Sequence, residues 1–401
     1  MSIRRKRKIR GGDPEQGVRI FRTVTGFFAS LDLLQLLALA FLLGVGLLFV
    51  YTTGRQIGDG TRVVFFHRQL RWITAGTVLY FAAALPDYRK PICKIFALIY
   101  YIAVTILLLA VPIAGVRVFG ATRWLAIGPL RIQPAEFAKS ALILLLASIF
   151  SSRVFDINRW PSRLLCAAAT AIPFLLIVIE PDLGSAMVLL PIFVVMLFCA
   201  GLRWRIILSV TIAAAAIATA AILNELYYKP LLKPYQRARI LTFLAPESDR
   251  TGYGYNVYQS KLAVGSGGWT GKGLSEGTQN ALGFLPRTVS NNDFIFSVIA
   301  EETGYLGSLL LLFGYLLLLG AILRCAFRCD DPFGAGVAVG TAAMIFTHVF
   351  INIGMSIGLV PVTGLPLPFI SYGGSFVLSG MLLLGILQSV CRHTGIEGSN
   401  Y

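Results

Sequence analysis

The sequence predicts an all-α integral membrane protein of about ten transmembrane helices, and three observations carry that expectation. First, 56% of the 401 residues are hydrophobic, only 13% are charged, and the mean hydropathy is +0.74. A soluble chain would hold about a quarter charged residues, and here the deficit runs along the whole length. Second, apolar runs near the ~20 residues needed to cross a bilayer recur from end to end. Third, Trp72, Trp124, Trp160 and Trp204 stand at the edges of those runs, as an interfacial aromatic belt would place them.

Ten runs are expected as spans: Leu33–Tyr51, Gln69–Leu85, Ile92–Val111, Pro134–Ile149, Leu164–Ile179, Leu183–Cys199, Trp204–Leu223, Phe294–Phe327, Phe333–Ile353 and Gly374–Cys391. The eighth is too long for one simple crossing, so its first turns are expected at or beyond the membrane face. The fifth and sixth are separated only by Glu180-Pro181-Asp182, a hairpin too short to leave the surface. An even count puts both termini on one side. With the N-terminus inside, 19 Lys and Arg fall inside and 15 outside, but eight of the outside ones belong to the long loop 224–293. Loops of that length translocate largely regardless of charge. The margin is then 19 against 7, which predicts N-in, C-in, with a large extracytoplasmic loop between spans 7 and 8.

Net charge is +16, from 35 Lys and Arg against 19 Asp and Glu. Eight of the basic residues precede the first span and the others mark the ends of apolar runs. That placement fits topology and anionic lipid head groups rather than nucleic acid. The six cysteines lie mostly within or beside apolar runs and offer neither a disulfide framework nor a zinc site. The charged first twenty residues lack the apolar core of a removable signal peptide.

Ionisable groups within spans are costly and are functional candidates by default. Glu136 and Lys139, three apart on the fourth span, share one helix face and can neutralise each other. They read either as a structural ion pair or as the lining of a polar cavity. Asp182 suits the N-cap of the sixth span, and with Glu180 beside it the pair also fits a cation or a substrate hydroxyl. Asp293 stands where the long loop meets the eighth span, in Asn291-Asn292-Asp293-Phe294. It reads as an N-cap or as a carboxylate able to take a proton from a sugar hydroxyl. Of Glu301 and Glu302, one is expected to face the bundle interior. His348 reads as a hydrogen-bonded interior residue.

Within the loop, Gly265-Ser-Gly-Gly-Trp-Thr-Gly-Lys272-Gly273 is not a P-loop, because Ser266 stands where the first Gly belongs and no Ser or Thr follows Lys272. A glycine-rich turn flanked by Lys261 and Lys272 can still bind phosphate through backbone N–H groups. Arg237, Arg239, Arg250 and Arg287 add a basic surface suited to a lipid-linked phosphate or pyrophosphate, or to simple solvation. The uncharged stretch Gly358–Gly374 holds too many prolines and glycines for one helix, so it must be buried in protein or line a cavity.

Together these segments resemble the SEDS family (shape, elongation, division and sporulation proteins). The resemblance rests on Gly120-Ala-Thr-Arg-Trp-Leu125, Gln133-Pro-Ala-Glu-Phe-Ala-Lys139, Glu180-Pro-Asp-Leu-Gly-Ser185, Gly265-Ser-Gly-Gly268, Asp293-Phe-Ile-Phe296, Ala300-Glu-Glu302 and the run from Pro361 to Gly374. Leu241–Glu247 and Tyr258–Lys261 resemble the elongation branch more than the division branch. The resemblance implies a peptidoglycan glycosyltransferase of the bacterial cytoplasmic (inner) membrane that polymerises lipid II. It implies a class B penicillin-binding protein as transpeptidase partner, other membrane proteins of the elongation complex, and a divalent cation (Mg or Mn). It divides the chain into a basic cytoplasmic tail 1–30, a ten-span membrane domain 31–391 containing the loop 224–293, and a short cytoplasmic tail 392–401. The family's loop aspartate falls on Asp293, its fourth-span pair on Glu136 and Lys139, and its hairpin aspartate on Asp182. Asp293 is the expected general base, with Glu136, Lys139, Asp182, Lys261, Lys272 and Arg239 as supporting or substrate-binding residues. One departure is plain: the stretch Leu285–Asp293 is two residues longer than the family pattern and lacks its glutamate and histidine. The competing functions are a lipid II flippase, for which internal repeats would be expected, and the division member of the same family.

Overall fold

Ten helices of 17 residues or more stand, among the described residues, where the ten apolar runs predict spans. The computed structural model describes residues 26–53, 60–118, 121–128, 130–227, 237, 241–243, 254–285 and 290–394. In chain order these helices are α1 (Leu33–Thr53), α2 (Gly60–Ala84), α3 (Pro91–Ala114), α4 (Pro134–Phe150), α5 (Trp160–Ile179), α6 (Leu183–Cys199) and α7 (Trp204–Tyr227). After the long loop, which holds the shorter α8 (Tyr255–Ser266) and α9 (Thr278–Ala281), come α10 (Ile295–Arg328), α11 (Pro332–Ile357) and α12 (Gly374–Thr394). Six of the ten, α1, α3, α5, α10, α11 and α12, are long and apolar enough to cross a membrane by length and composition.

Local chemistry sets the ends. Pro91, Pro134 and Pro332 occupy first-turn positions, where proline's missing N–H costs nothing. Asp331 caps α11 by accepting from Gly334 N at 3.1 Å. At its far end Gly358, in the left-handed region, stops that helix. The expected overlength of α10 is resolved by a break: Gly304 (φ 67°, ψ −161°) is non-helical and separates residues 295–303 from the longer part beyond.

One element was not anticipated. Between α3 and α4 the chain makes a three-stranded antiparallel sheet of β1 (Val116–Val118), β2 (Ala121–Ile127) and β3 (Leu130–Ile132). Trp124 pairs with Val116, and Leu125 with Ile132.

Burial sorts the helices into centre and rim. In their most apolar stretches, 83% of α12 and 67% of α11 is buried, against 22% of α3 and 28% of α5. On α4, 13 of 17 residues are buried. The centre is therefore α4, α11 and α12, with α11 packed on α4, α6 and α10, and α12 on α2. On the rim, Ile95, Leu98, Ile99, Ile102, Ile106 and Leu109 of α3 are all exposed. A band of that kind suits hydrocarbon rather than water. The polar groups of interest lie on the central helices and on the loops over them.

Candidate functional site

A fully enclosed charged group stands on α4. Lys139 has no exposed surface, and its Nζ stands 2.8 Å from Glu136 Oε2. That approach is an ion pair rather than an aligned hydrogen bond, since Oε2 accepts no well-angled donor. Nζ also lies 3.0 Å from His348 Nε2, and His348 Nδ1 lies 3.2 Å from Pro366 O. A carbonyl can only accept, so Nδ1 carries the proton and Nε2 offers its lone pair to the ammonium. The Phe376 ring packs against both groups. Of the two readings of Glu136 and Lys139, this enclosure matches the structural ion pair.

The α5–α6 hairpin supplies the next group. Asp182 caps α6: Ser185 N donates to Oδ1 at 3.3 Å, and Ser185 Oγ to Oδ2 at 2.9 Å. Gln133 Nε2, just before α4, donates to Oδ2 at 2.9 Å. From β2, Arg123 reaches across with Nη1 at 3.8 Å from Oδ1, and its other amino group donates to Pro181 O. Capping thus accounts for only part of what Asp182 holds. Glu180 is buried, and neither of its carboxylate oxygens has a hydrogen-bond partner among the described residues. Burial, reinforced by the Asp182 charge and opposed by Arg123, pushes its pKa up to about 8.

Two residues on from Asp182, Gly184 faces Thr363 O so closely that a β-carbon there would overlap it. Only glycine permits this approach, which presses the hairpin onto the Pro-rich segment between α11 and α12. The next residue, Gly364, faces Asp293. A β-carbon on Gly364 would sit 3.4 Å from Asp293 Oδ2. Asn352 Nδ2 donates both to Asp293 O at 2.8 Å and to Leu365 O at 2.7 Å. The adjoining turn is tied down as well, by Ser371 Oγ to Asn292 O at 2.6 Å and Tyr372 N to Asn291 O at 2.9 Å. Asp293 is half-buried, and the N-cap position of α10 falls on Phe294 with no capping side chain. Asp293 is therefore not the N-cap that its position invited. Asp293, the Pro-rich segment, the Asp182 hairpin and the head of α4 form one continuous seam.

The loop residues divide. Lys261 lays its Cε and Nζ against Gly358, at the negative end of α11's dipole and the start of the Pro-rich segment. Lys272 is engaged elsewhere: Nζ pairs with Glu301 Oε1 at 2.6 Å and donates to Thr278 Oγ1 at 2.8 Å. The glycine-rich turn packs its main chain against that of residues 301–306. Its Lys272 and Gly273 N–H groups donate to the Glu301 and Glu302 carbonyls, both at 3.0 Å, and its Gly268 and Trp269 carbonyls accept from Tyr305 and Leu306 N. Both Glu301 and Glu302 are buried, where only one was expected to be. Glu301 takes the Lys272 ammonium and Glu302 Oε2 accepts from Ser275 N at 3.0 Å. Arg237 stands 3.7 Å from Glu225. Arg239, Arg250 and Arg287 lie outside the described residues.

Four participants were not singled out as site residues: Arg123, Gln133, His348 and Asn352. Asn352 and His348 carry a signal in retrospect, being the largest polar side chains of α11 and one turn apart on it.

The cell cycle protein family of FtsW, RodA and SpoVE matches residues 32–396. The peptidoglycan glycosyltransferase MrdB of Escherichia coli (strain K12) is 38% identical over 367 residues, covering 90% of this chain and 94% of that protein. Among solved structures, a chain from a peptidoglycan synthase complex coordinating polymerization and crosslinking superposes with a TM-score of 0.75 at 30% identity, covering 91% of this chain and 98% of its own. The rod shape determining protein RodA of Thermus thermophilus superposes at 0.65 with 28% identity, covering 90% and 97%. With a family match over nearly its whole length, this protein belongs to the FtsW, RodA and SpoVE family of cell cycle proteins.

Proposed function

We infer that this chain is a peptidoglycan glycosyltransferase that polymerises lipid II, and that it serves cell-wall elongation. The observation that carries the reading is Asp293: a half-buried carboxylate held by its backbone against the Pro-rich segment, at the mouth of a seam lined by central helices. Full-length similarity to a named peptidoglycan glycosyltransferase and to a rod shape determining protein supports the class and the elongation assignment.

In this reading Asp293 accepts the proton of the acceptor sugar's 4-hydroxyl. That oxygen bonds to the donor's anomeric carbon as the bond to undecaprenyl pyrophosphate breaks, inverting the centre in a single displacement. The departing pyrophosphate needs positive charge, and Lys261, stationed at the start of the Pro-rich segment, is the described loop cation placed to supply it. Lys272 supports through Glu301. Arg239 belongs to the same basic loop. Glu136, Lys139 and Asp182 hold the floor and flank of the seam.

The implied divalent cation has no resident cage: no three His, Cys, Asp or Glu side chains stand together to hold a metal ion among the described residues. A requirement for added Mg or Mn would be a property of the complex with substrate. The ten helices are read as ten spans of the inner membrane with both termini inside and the loop 224–293 outside. A class B penicillin-binding protein is read as the partner, supported by likeness to a chain from a synthase complex that both polymerises and crosslinks.

The test is polymerisation of purified lipid II by full-length protein. Asp293→Ala is expected to lose product by at least a hundredfold, the order expected when a general base is removed, while keeping its thermal transition. Near-normal product from that variant would sink the assignment.

A further inference from the structure

We propose that His348 and Asn352 are positioning residues, a two-rung polar ladder on α11 that ties the buried Lys139 to the backbone of Asp293 through the Pro-rich segment. The proposal rests on the reading of Asp293 as the base.

The two side chains are four apart, so they project from the same face of α11, one turn apart. Each grips one of two consecutive carbonyls: Asn352 donates to Leu365 O at 2.7 Å, and His348 Nδ1 to Pro366 O at 3.2 Å. The outer rung continues outward, since Asn352 Nδ2 also donates to Asp293 O at 2.8 Å. The inner rung continues inward, since His348 Nε2 accepts from Lys139 at 3.0 Å. Neither residue has exposed surface.

The orientations are dictated by chemistry. Every oxygen around Asn352 Nδ2 is a carbonyl, which can only accept, so the amide must present its NH₂ there. The cost is visible, because Asn352 Oδ1 is buried with no hydrogen-bond partner among the described residues. An unpartnered buried carbonyl is a net loss to stability, and an apolar side chain would avoid it. The NH₂ is the one part of the residue doing something an apolar group could not, and what it does is span Asp293 and Leu365. His348 is fixed in the same way as a neutral ring with its proton on Nδ1. Were that ring absent, the Lys139 ammonium would lose one of its two polar neighbours among the described residues, and Pro366 O would lose the His348 donor.

The consequence is geometric. Asp293's carboxylate faces Gly364, whose position follows from its neighbour Leu365, and the two anchor points share one amide. Loosening either rung lets the carboxylate drift relative to the seam without removing any group that touches a sugar. Chemistry should therefore slow while substrate capture is spared.

The experiment measures kcat and KM for lipid II with the full-length chain in nanodiscs, alongside thermal stability. His348→Phe and Asn352→Leu keep the volume and delete the polar contacts. Each is expected to lower kcat by about tenfold or more with KM within about twofold, the signature of misplacement rather than lost binding. His348→Gln restores a donor and an acceptor and is expected to recover kcat to within about threefold. If His348→Phe does not assemble, Asn352→Leu and the smaller Asn352→Ser decide the matter. A kcat within about twofold of the parent for these variants, with Asp293→Ala inactive, overturns the ladder and leaves the base intact. A parallel fall of kcat, KM and thermal stability that His348→Gln does not rescue also overturns it, as a packing role alone. Normal activity of Asp293→Ala overturns the base assignment, and the ladder with it.

Discussion

Two segments of this molecule break the helical pattern with glycine and proline, and they are fastened in opposite ways. The glycine-rich turn at 265–273 is held main chain to main chain. Its N–H groups and carbonyls pair with the backbone at 301–306, and Gly271 and Gly304 come so close that neither tolerates a side chain. The Pro-rich segment from Leu359 to Gly373 is held by side chains: Asn352, His348 and Tyr315 donate to its carbonyls at Leu365, Pro366 and Pro368, and Ser371 Oγ accepts from Leu367 N. Prolines remove backbone donors, so this segment needs donors brought to it from other helices. The first mode makes a rigid clip whose requirements are glycines. The second makes a surface whose shape depends on specific polar residues of α10 and α11, and it is the one that borders Asp293.

The contrast can be broken at its stiffest point. Gly304→Val places a branched residue at φ 67°, ψ −161°, a conformation essentially reserved for glycine, and drives its β-carbon into the backbone of 269–271. The expected cost is more than about 4 kcal/mol, seen as loss of monodisperse protein. A variant with the parent's melting temperature would refute the backbone clip. Next in size, Lys139→Met leaves Glu136 buried without its counter-ion at about 3–5 kcal/mol. The same change at Lys272 should cost visibly less, because Glu301 keeps Thr278 Oγ1 and Gln279 N as donors. Equal melting shifts for the two lysines would erase the distinction. The mildest probe is pH. Glu180, in the α5–α6 hairpin, has a folded pKa of about 8 against an ordinary 4.5. An acid raised in the folded state favours folding fully below the lower value, and that contribution is lost as pH rises through the higher one. Melting temperature should therefore fall between pH 5 and 8 and then level, and Glu180→Gln should flatten that slope. A slope unchanged in the variant would assign it to other groups.

Much of the architecture was legible because apolar runs and helix ends are local signals. The differences have local causes too. α2 begins at Gly60 rather than Gln69 because His67 and Arg68 interrupt the apolar run without interrupting the helix. The sheet at 116–132 escaped notice because two of its three strands have only three residues, too few to show alternation. Asp293, Asp182, Glu136 and Lys139 stood out as carboxylates and an ammonium within or beside apolar sequence. What sequence could not supply was pairing. Nothing near Gly271 indicates whether its turn offers N–H groups to an anion or to the carbonyls of Glu301 and Glu302, since both uses demand the same residues. Likewise Asn352 and His348 gain meaning only when the segment after α11 folds back and brings Leu365 and Pro366 to them.

The break at Gly304 also fixes a phase. Beyond it, α10 runs through residue 328, about 36 Å at 1.5 Å per residue, enough to cross a hydrocarbon core alone. The short piece before it is an indexing arm that carries Asp293 just ahead of its first turn. Each residue in that arm advances the aspartate by about 100° around the axis. Lengthening Leu285–Asp293 by two residues on the loop side leaves this count untouched, whereas one residue inserted between Asp293 and Gly304 would swing the carboxylate away from Gly364. The count of residues between Asp293 and Gly304 is thus the one that cannot change.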